Sequence, residues 1–253
     1  MTMHRERNVT LALLLVLAAT SWAILVWQSA MMNNQAMGVT MGMGAALFLS
    51  IWVVMMVAMM FPTAAPMILV FARVHADKRQ GGKAFVPTWV FVSAYLFIWI
   101  LFGVLAYAGA LWAERLAQQV PWLMVNAARI GGGVLVLAGL YQFSPLKRSC
   151  LTKCRTPLDF VLSSWRDGYM GAFRMGLEHG IYCLGCCWLL FVIFFPLGMM
   201  NVAVMAVLTL LIFAEKSFPM GQRIAQLAAL ALIAYGMLVM AVPGALPVMQ
   251  APM

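Results

Sequence analysis

The amino-acid sequence predicts an all-α fold, a polytopic membrane helix bundle with about seven transmembrane helices. Of its 253 residues, 65% are apolar and 9% are charged, and the mean hydropathy is +0.95. Soluble globular chains average roughly 45–50% apolar and 25% charged residues, so a soluble enzyme of this size is excluded. The net charge of +9 does not predict nucleic-acid binding, because Lys and Arg beside apolar spans commonly mark the cytoplasmic side of a membrane protein.

The first four spans follow from the positions of charged and helix-breaking residues. A hydrocarbon core of about 30 Å needs about 20 apolar residues in a helix. No charged residue lies between Arg7 and Arg73, and the polar, Gly-rich segment Gln28 to Gly44 divides this stretch into two spans. A third span follows the basic loop after Arg73, and Pro145 ends the fourth, because proline halts a helix. The predicted spans are 9–27, 45–72, 86–112 and 123–143.

The last three spans follow from a second long uncharged stretch. The segment between Glu178 and Glu215 is too long for one crossing at about 1.5 Å per helical residue. The sequence Pro196-Leu197-Gly198 predicts a turn within it. The predicted spans are therefore 172–196, a short one at 199–214, and 224–242.

The distribution of positive charge predicts the orientation. With the N-terminus inside, all of the 16 Lys and Arg residues except Arg115 and Arg129 fall on the cytoplasmic side. The first apolar run could instead be a signal peptide, although its length of about 19 residues fits a membrane anchor better. We therefore expect a single membrane domain over 1–253, with its N-terminus inside and its C-terminus outside.

The fifth predicted span contains the residues most typical of a metal site. Counting from His179, residues four, seven and eight positions later share a helical face, so His179, Cys183, Cys186 and Cys187 form one stripe. Imidazole and thiolate ligands bind zinc and copper(I), and thiolate and thioether sets favour copper(I). Cysteine can also be simply a small buried side chain. We predict these four residues as metal ligands, with Met175 and Glu178 as accessory residues. Cys186 and Cys187 are adjacent and about 100° apart on the helix, so one of them alone could ligate.

The second predicted span adds methionines at helical spacing. Met55 and Met59 are four residues apart, as are Met56 and Met60, so one pair can face the bundle in any rotation of the helix. At about 1.5 Å per residue, Met59 and Cys183 lie at similar depths. We predict Met55 and Met59 as supplementary thioether ligands, although methionine also serves as flexible core filler.

Two loops carry further sulfur. The outer segment 31–43 is rich in methionine and could collect copper or rest on lipid. The basic inner loop carries Cys150 and Cys154, four residues apart, and the neighbouring Lys153 and Arg155 are expected to lower the pKa of both thiols. This pair could serve metal transfer or redox chemistry, or could be idle. Cytosolic thiols stay reduced, so a permanent disulfide is not expected.

Together these residues resemble an uncharacterised bacterial family of predicted metal-binding integral membrane proteins, described as domain of unknown function 2182. The resemblance is strongest over 52–216 and implies a bacterial inner-membrane protein with a metal site but no known reaction. This chain has Phe191 shortly after Cys-Cys-Trp, where the family often has methionine. The residues that carry the resemblance are Trp52, Met55, Ala58, Met59, Met60, Pro62, Tyr141, Gln142, Pro145, Leu146, Lys147, Cys150, Cys154, Arg155, Met175, Gly176, His179, Gly180, Cys183, Gly185, Cys186, Cys187, Trp188, Asn201, Glu215 and Lys216.

Three functions are compatible with these features. The first is copper(I) binding for storage, delivery or translocation, with zinc as the alternative metal and a metallochaperone or membrane protein as partner. The second is a membrane thiol oxidoreductase that uses Cys183 and Cys186 with a quinone. The third is a non-catalytic partner subunit, for which glycines such as Gly131 to Gly133 could provide helix contacts. The carboxylates do not form an evident acid-base pair, so hydrolytic chemistry has little support.

Overall fold

The computed structural model describes residues 2–31, 42–80 and 87–246 and is all-α. Of the described residues, 89% are helical and none lies in a strand. The methionine-rich segment predicted to collect copper lies mostly outside the described residues. The helices are α1 (Thr2–Met31), α2 (Ala45–Gln80), α3 (Thr88–Gln119), α4 (Pro121–Val125), α5 (Ala127–Gln142), α6 (Pro145–Arg155), α7 (Pro157–Ser163), α8 (Gly168–Val192), α9 (Phe194–Leu197), α10 (Val202–Ser217) and α11 (Gly221–Ala241), followed by a 3-10 turn (Pro243–Ala245).

Five segments among the described residues are long and apolar enough to cross a membrane. They overlap the predicted first, second, third, fifth and seventh spans. Helices α5 and α10 occupy the predicted fourth and sixth spans, but each has 16 residues. Such a helix is about 24 Å long, shorter than the hydrocarbon core. The all-α class is confirmed, whereas seven crossings and their orientation stay predictions. The five segments are Arg7–Met31, Ala45–His75, Thr88–Gln119, Gly168–Leu197 and Gly221–Ala241.

The second helix continues through two prolines, and a neighbouring helix supplies one of the missing hydrogen bonds. Pro62 has no N–H to donate to the carbonyl of Ala58, four residues earlier. Trp22 Nε1 of α1 donates to that carbonyl oxygen at 3.1 Å. A carbonyl freed by a membrane proline therefore has a partner inside the bundle, as such groups require in lipid.

Replacing Trp22 with phenylalanine should lower the apparent melting temperature in detergent. The change keeps an aromatic ring but leaves the Ala58 carbonyl without its indole donor, at a cost of about 1–3 kcal/mol. Trp27→Phe is the matched control, because Trp27 lies on the same helix and is 64% exposed. Equal melting temperatures for the two variants would contradict this account of the proline.

Helices α3 and α8 approach closely at two glycines of α8. A Cβ on Gly176 would collide with the backbone oxygen of Phe91, and one on Gly180 would collide with Ile98. Helices α5 and α11 meet in the same way, with Gly132 facing the backbone of Gly236. Gly132, in the middle of the Gly131 to Gly133 run, therefore serves helix packing within the chain.

A short amphipathic helix, α6, packs against α8 and completes the region where the cysteines lie. Pro145 stands in its first turn, and the side chain of Ser144 accepts a hydrogen bond from Lys147 N at 3.1 Å. Its buried residues recur at helical spacing and include Cys150 and Cys154. The basic inner loop predicted from the sequence therefore contains a helix, and this helix presents two thiols to the core.

Candidate metal centre

The buried face of α8 carries the predicted metal-binding stripe. His179 and Cys183 are buried, as are Cys186, Cys187 and Met175. All of them are at most 2% exposed. The expectation that these residues share one helical face is therefore confirmed, while their coordination of a metal stays a prediction.

Four cysteines form what we call the thiol network: Cys154 of α6 and Cys183, Cys186 and Cys187 of α8. The thiol of Cys154 lies beside those of Cys183 and Cys186, which affect its pKa. The Sγ atoms of Cys186 and Cys187 are 3.2 Å apart, and Cys186 Sγ also donates to the backbone oxygen of Cys183 at 3.1 Å. All four are free cysteines. Packing of α6 on α8 thus brings together sulfurs that are far apart in the sequence.

Two further helices place hydrogen-bonding groups beside Cys183. Lys216 Nζ of α10 donates to Cys183 Sγ at 3.0 Å, and the hydroxyl of Tyr95 on α3 lies 3.2 Å from the same sulfur. An ammonium group beside a sulfur favours the thiolate, which is the form that binds metal. Cys183 is therefore the sulfur of the network best supplied with donors and positive charge.

The two cysteines of α6 have different surroundings. Cys154 belongs to the thiol network, whereas Cys150 lies beside Gly185, where a Cβ would crowd its sulfur. Burial raises the pKa of the Cys150 thiol, and the neighbouring thiol of Cys183 holds the pKa of Cys154 well above its usual range. The expected lowering by Lys153 and Arg155 is therefore wrong. Arg155 instead donates to the backbone oxygens of Phe218 and Pro219.

His179 lies beside the network in an aromatic cage. Its ring centroid is 5.4 Å from that of Tyr95, 5.7 Å from that of Phe160 and 5.9 Å from that of Phe91. Neither ring nitrogen has a hydrogen-bond partner among the described residues. Buried polar atoms without a partner are uncommon and call for an explanation. The structure thus leaves both His179 nitrogens available to a ligand without joining them to the thiols.

The predicted methionine ligands are buried but lie on a helix with other close neighbours. Met55 and Met59 are core residues of α2, which packs against α1, α3 and α10. Helix α8 packs mainly against α3 and α6. Side chains of α2 and α8 still meet, with the rings of Trp52 and Phe191 6.2 Å apart. A thioether contribution from Met55 or Met59 stays a prediction.

Glu178 is removed from the thiols. Its carboxylate pairs with Arg166 at 3.3 Å on a partly exposed surface. Arg174, four residues before Glu178 on α8, lies on the exposed side of that helix and does not form this pair. In this structure Glu178 is thus engaged by Arg166, and its accessory role at a metal centre stays a prediction.

A buried ion pair stands next to the network. Lys147 Nζ of α6 lies 2.7 Å from Glu215 Oε2, and Gln142 Nε2 donates to Glu215 Oε1 at 3.1 Å. Glu215 thus pairs with Lys147 and not with the adjacent Lys216 or with Arg223. Glu215 and Lys216 are adjacent, yet one turns to α6 and the other to α8. Motif reasoning missed Lys147, Lys216 and Tyr95 as site residues, although the family resemblance included both lysines.

The side chains as they stand do not form a closed metal cage. In the part of the chain that the structure describes, no group of three or more His, Cys, Asp or Glu residues could hold a metal ion. The thiols of Cys186 and Cys187 instead hydrogen-bond with each other, and that of Cys183 accepts from Lys216. Metal binding would require these thiols to rotate toward a common point.

Comparison with known proteins gives one match. A family model described as PpoB2, copper chaperone, matches residues 49–239. This match supports a copper-related family, and it does not carry the label domain of unknown function 2182. No curated protein and no solved structure matches the chain.

Proposed function

Since the chain belongs to the PpoB2 family of copper chaperones, we propose that it carries copper(I) as cargo on the thiol network. Cys154 and Cys183 are the primary ligands in this proposal, and Cys186 or Cys187 completes the set. The single observation behind it is the convergence of four free thiols from α6 and α8 beside Lys216. Soft thiolates favour copper(I) over hard cations.

The charges around the network suit a monovalent metal bound by two thiolates. Two thiolates and copper(I) together carry one negative charge, which the ammonium of Lys216 balances at close range. The carboxylate of Glu215 adds no net charge to the site, because the ammonium of Lys147 neutralises that carboxylate. Buried charges are tolerated when they are paired, so this arrangement lowers the cost of placing copper in a dry core.

Two further side chains on α8 are available to bind the same copper ion. His179 offers two nitrogens without partners four residues before Cys183, and Met175 extends that face by one more turn. Imidazole and thioether both bind copper. Together with the thiols they would provide successive positions for copper along α8, as delivery requires.

The cellular setting is part of the proposal. Five helices that are able to cross a membrane support a multi-pass protein. The family resemblance and the charge bias favour the bacterial inner membrane with the N-terminus inside. A soluble metallochaperone or a membrane protein that needs copper would then be the partner.

The wild-type protein should retain about one copper(I) per chain when it is purified in detergent under reducing, oxygen-free conditions. Metal content by mass spectrometry gives the stoichiometry, and X-ray absorption at the copper edge identifies sulfur as the ligand. Stoichiometric zinc would instead indicate a tetrahedral structural site. A metal-free protein with a disulfide recoverable by alkylation would favour the thiol oxidoreductase.

A further inference from the structure

A basic cavity lies at the surface where α6 ends and α11 begins, apart from the thiol network. It has a volume of about 630 Å³. Its polar lining consists of two guanidinium groups, two hydroxyls and one amide, with no Asp or Glu among its described lining residues. These polar residues are Thr152, Arg155, Thr156, Gln222 and Arg223.

The arginines of this cavity carry uncompensated positive charge. Within the described residues, neither Arg155 nor Arg223 takes part in an ion pair. Arg155 Nη2 donates to Phe218 O at 2.8 Å and to Pro219 O at 2.9 Å, which holds its guanidinium at the cavity wall. A fixed guanidinium with remaining N–H donors is well suited to a phosphate group.

The start of α11 adds backbone donors to the same wall. Helix α11 begins at Gly221 without a side-chain cap and without an acidic residue in its first turn. The N–H of Gly221 donates to Phe218 O and that of Ile224 donates to Met220 O. Among the described residues, the amides of Gln222 and Arg223 are therefore the ones available to a ligand, and the helix dipole favours an anion there. Gln222 and Arg223 belong to this first turn, so backbone and side-chain donors face one space.

The position of the cavity relative to the membrane indicates which kind of phosphate-containing molecule it binds. Gly221 is also the first residue of a segment able to cross the membrane, so the cavity lies where apolar span meets water. Phe218 and Met220 beside it are both more than half exposed. Apolar side chains next to phosphate-binding groups match a lipid, whose headgroup and acyl chains are joined.

We propose that this cavity binds the phosphate headgroup of an anionic phospholipid. Arg155 and Arg223 bind the phosphate, the backbone amides of Gln222 and Arg223 donate to it, and the acyl chains pass Phe218 and Met220. This site is independent of copper binding, so each can fail without the other.

The test measures retention of phosphatidylglycerol by the detergent-purified protein with native mass spectrometry. Arg223→Gln should weaken retention roughly tenfold, because it removes charge-assisted hydrogen bonds to the phosphate. Arg148→Gln is the matched control, since Arg148 is exposed on α6 and outside the cavity. The control should lower retention by less than about twofold, because exposed charges interact weakly.

A comparison with inorganic phosphate distinguishes a lipid headgroup from free phosphate as the ligand of the cavity. Phosphatidylglycerol should raise the apparent melting temperature of the wild type, and inorganic phosphate at equal concentration should not. A shift from phosphate alone that Arg223→Gln removes would assign the cavity to free phosphate and overturn the lipid. Equal losses of lipid in Arg223→Gln and Arg148→Gln would overturn the cavity as the site and indicate general attraction to the basic surface.

Discussion

Replacing Cys154 and Cys183 together with serine should reduce copper(I) binding from about one ion per chain to a residual level. The double change removes one sulfur from α6 and the sulfur that contacts Lys216 from α8. A hydroxyl oxygen is a poor ligand for copper(I), so we expect affinity to fall by on the order of 10³-fold, about 4 kcal/mol. Competition against a chromogenic copper(I) chelator measures this loss.

Cys150→Ser is the matched control for that experiment. Cys150 lies on the same helix as Cys154 and is also buried, but it packs against Gly185 rather than joining the thiol network. The control should keep the wild-type copper stoichiometry and affinity. If it lost as much copper as the double variant, the assignment of the cargo site to the thiol network would be wrong.

Glu215→Gln should destabilise the protein by about 3–5 kcal/mol, because it leaves the ammonium of Lys147 buried without its counter-charge. Both side chains are 1% exposed, so water cannot replace the lost partner. The apparent free energy of unfolding in a detergent titration measures the effect. Lys147→Met combined with Glu215→Leu should recover most of the loss, since a buried pair can often be exchanged for apolar residues.

Glu178→Gln provides the comparison for the same chemical change at a different depth. Its ion pair with Arg166 is partly exposed on both sides. Pairs of that kind contribute about 0–1 kcal/mol, so this variant should melt near the wild type. Similar losses in Glu178→Gln and Glu215→Gln would contradict the view that burial makes the Lys147 pair important.

Lys147 and Lys216 have related roles in the region around the copper site. Each lysine neutralises one anionic partner, Glu215 for the first and Cys183 for the second. Without Lys147, the carboxylate of Glu215 and the thiolate of Cys183 would compete for the ammonium of Lys216. The ion pair of Lys147 therefore keeps Lys216 free to serve the thiol network, and the two predictions test separable parts of one arrangement.

Much of the helical organisation could be predicted because it depends on local composition. Apolar length and the positions of charged residues placed five segments that the structure shows to be long enough for a membrane. The periodicity of α8 correctly placed His179 and its cysteines on one buried face. Crossings four and six were inferred by the same logic, yet α5 and α10 are short, because helix ends depend on capping and turns as well as hydropathy.

The partners of the charged residues could not be read from spacing. Arg174 and Glu178 satisfy the helical rule of four, but Arg166 from the preceding turn reaches the carboxylate instead. Lys216 lies beside Glu215 in the sequence, but neighbours on a helix are about 100° apart and face different helices. Their actual partners, Cys183 and Lys147, lie at least 33 residues away.

Composition and periodicity thus suffice for an all-α chain with membrane-crossing segments and a stripe of soft ligands, because both properties arise within single helices. Other features of the site depend on how α3, α6, α8 and α10 pack. This packing places Cys154 beside the stripe and Cys150 away from it. It also places Lys216 and Tyr95 beside Cys183. Those contacts are long-range and follow from side-chain volumes and close backbone approaches that no local pattern encodes.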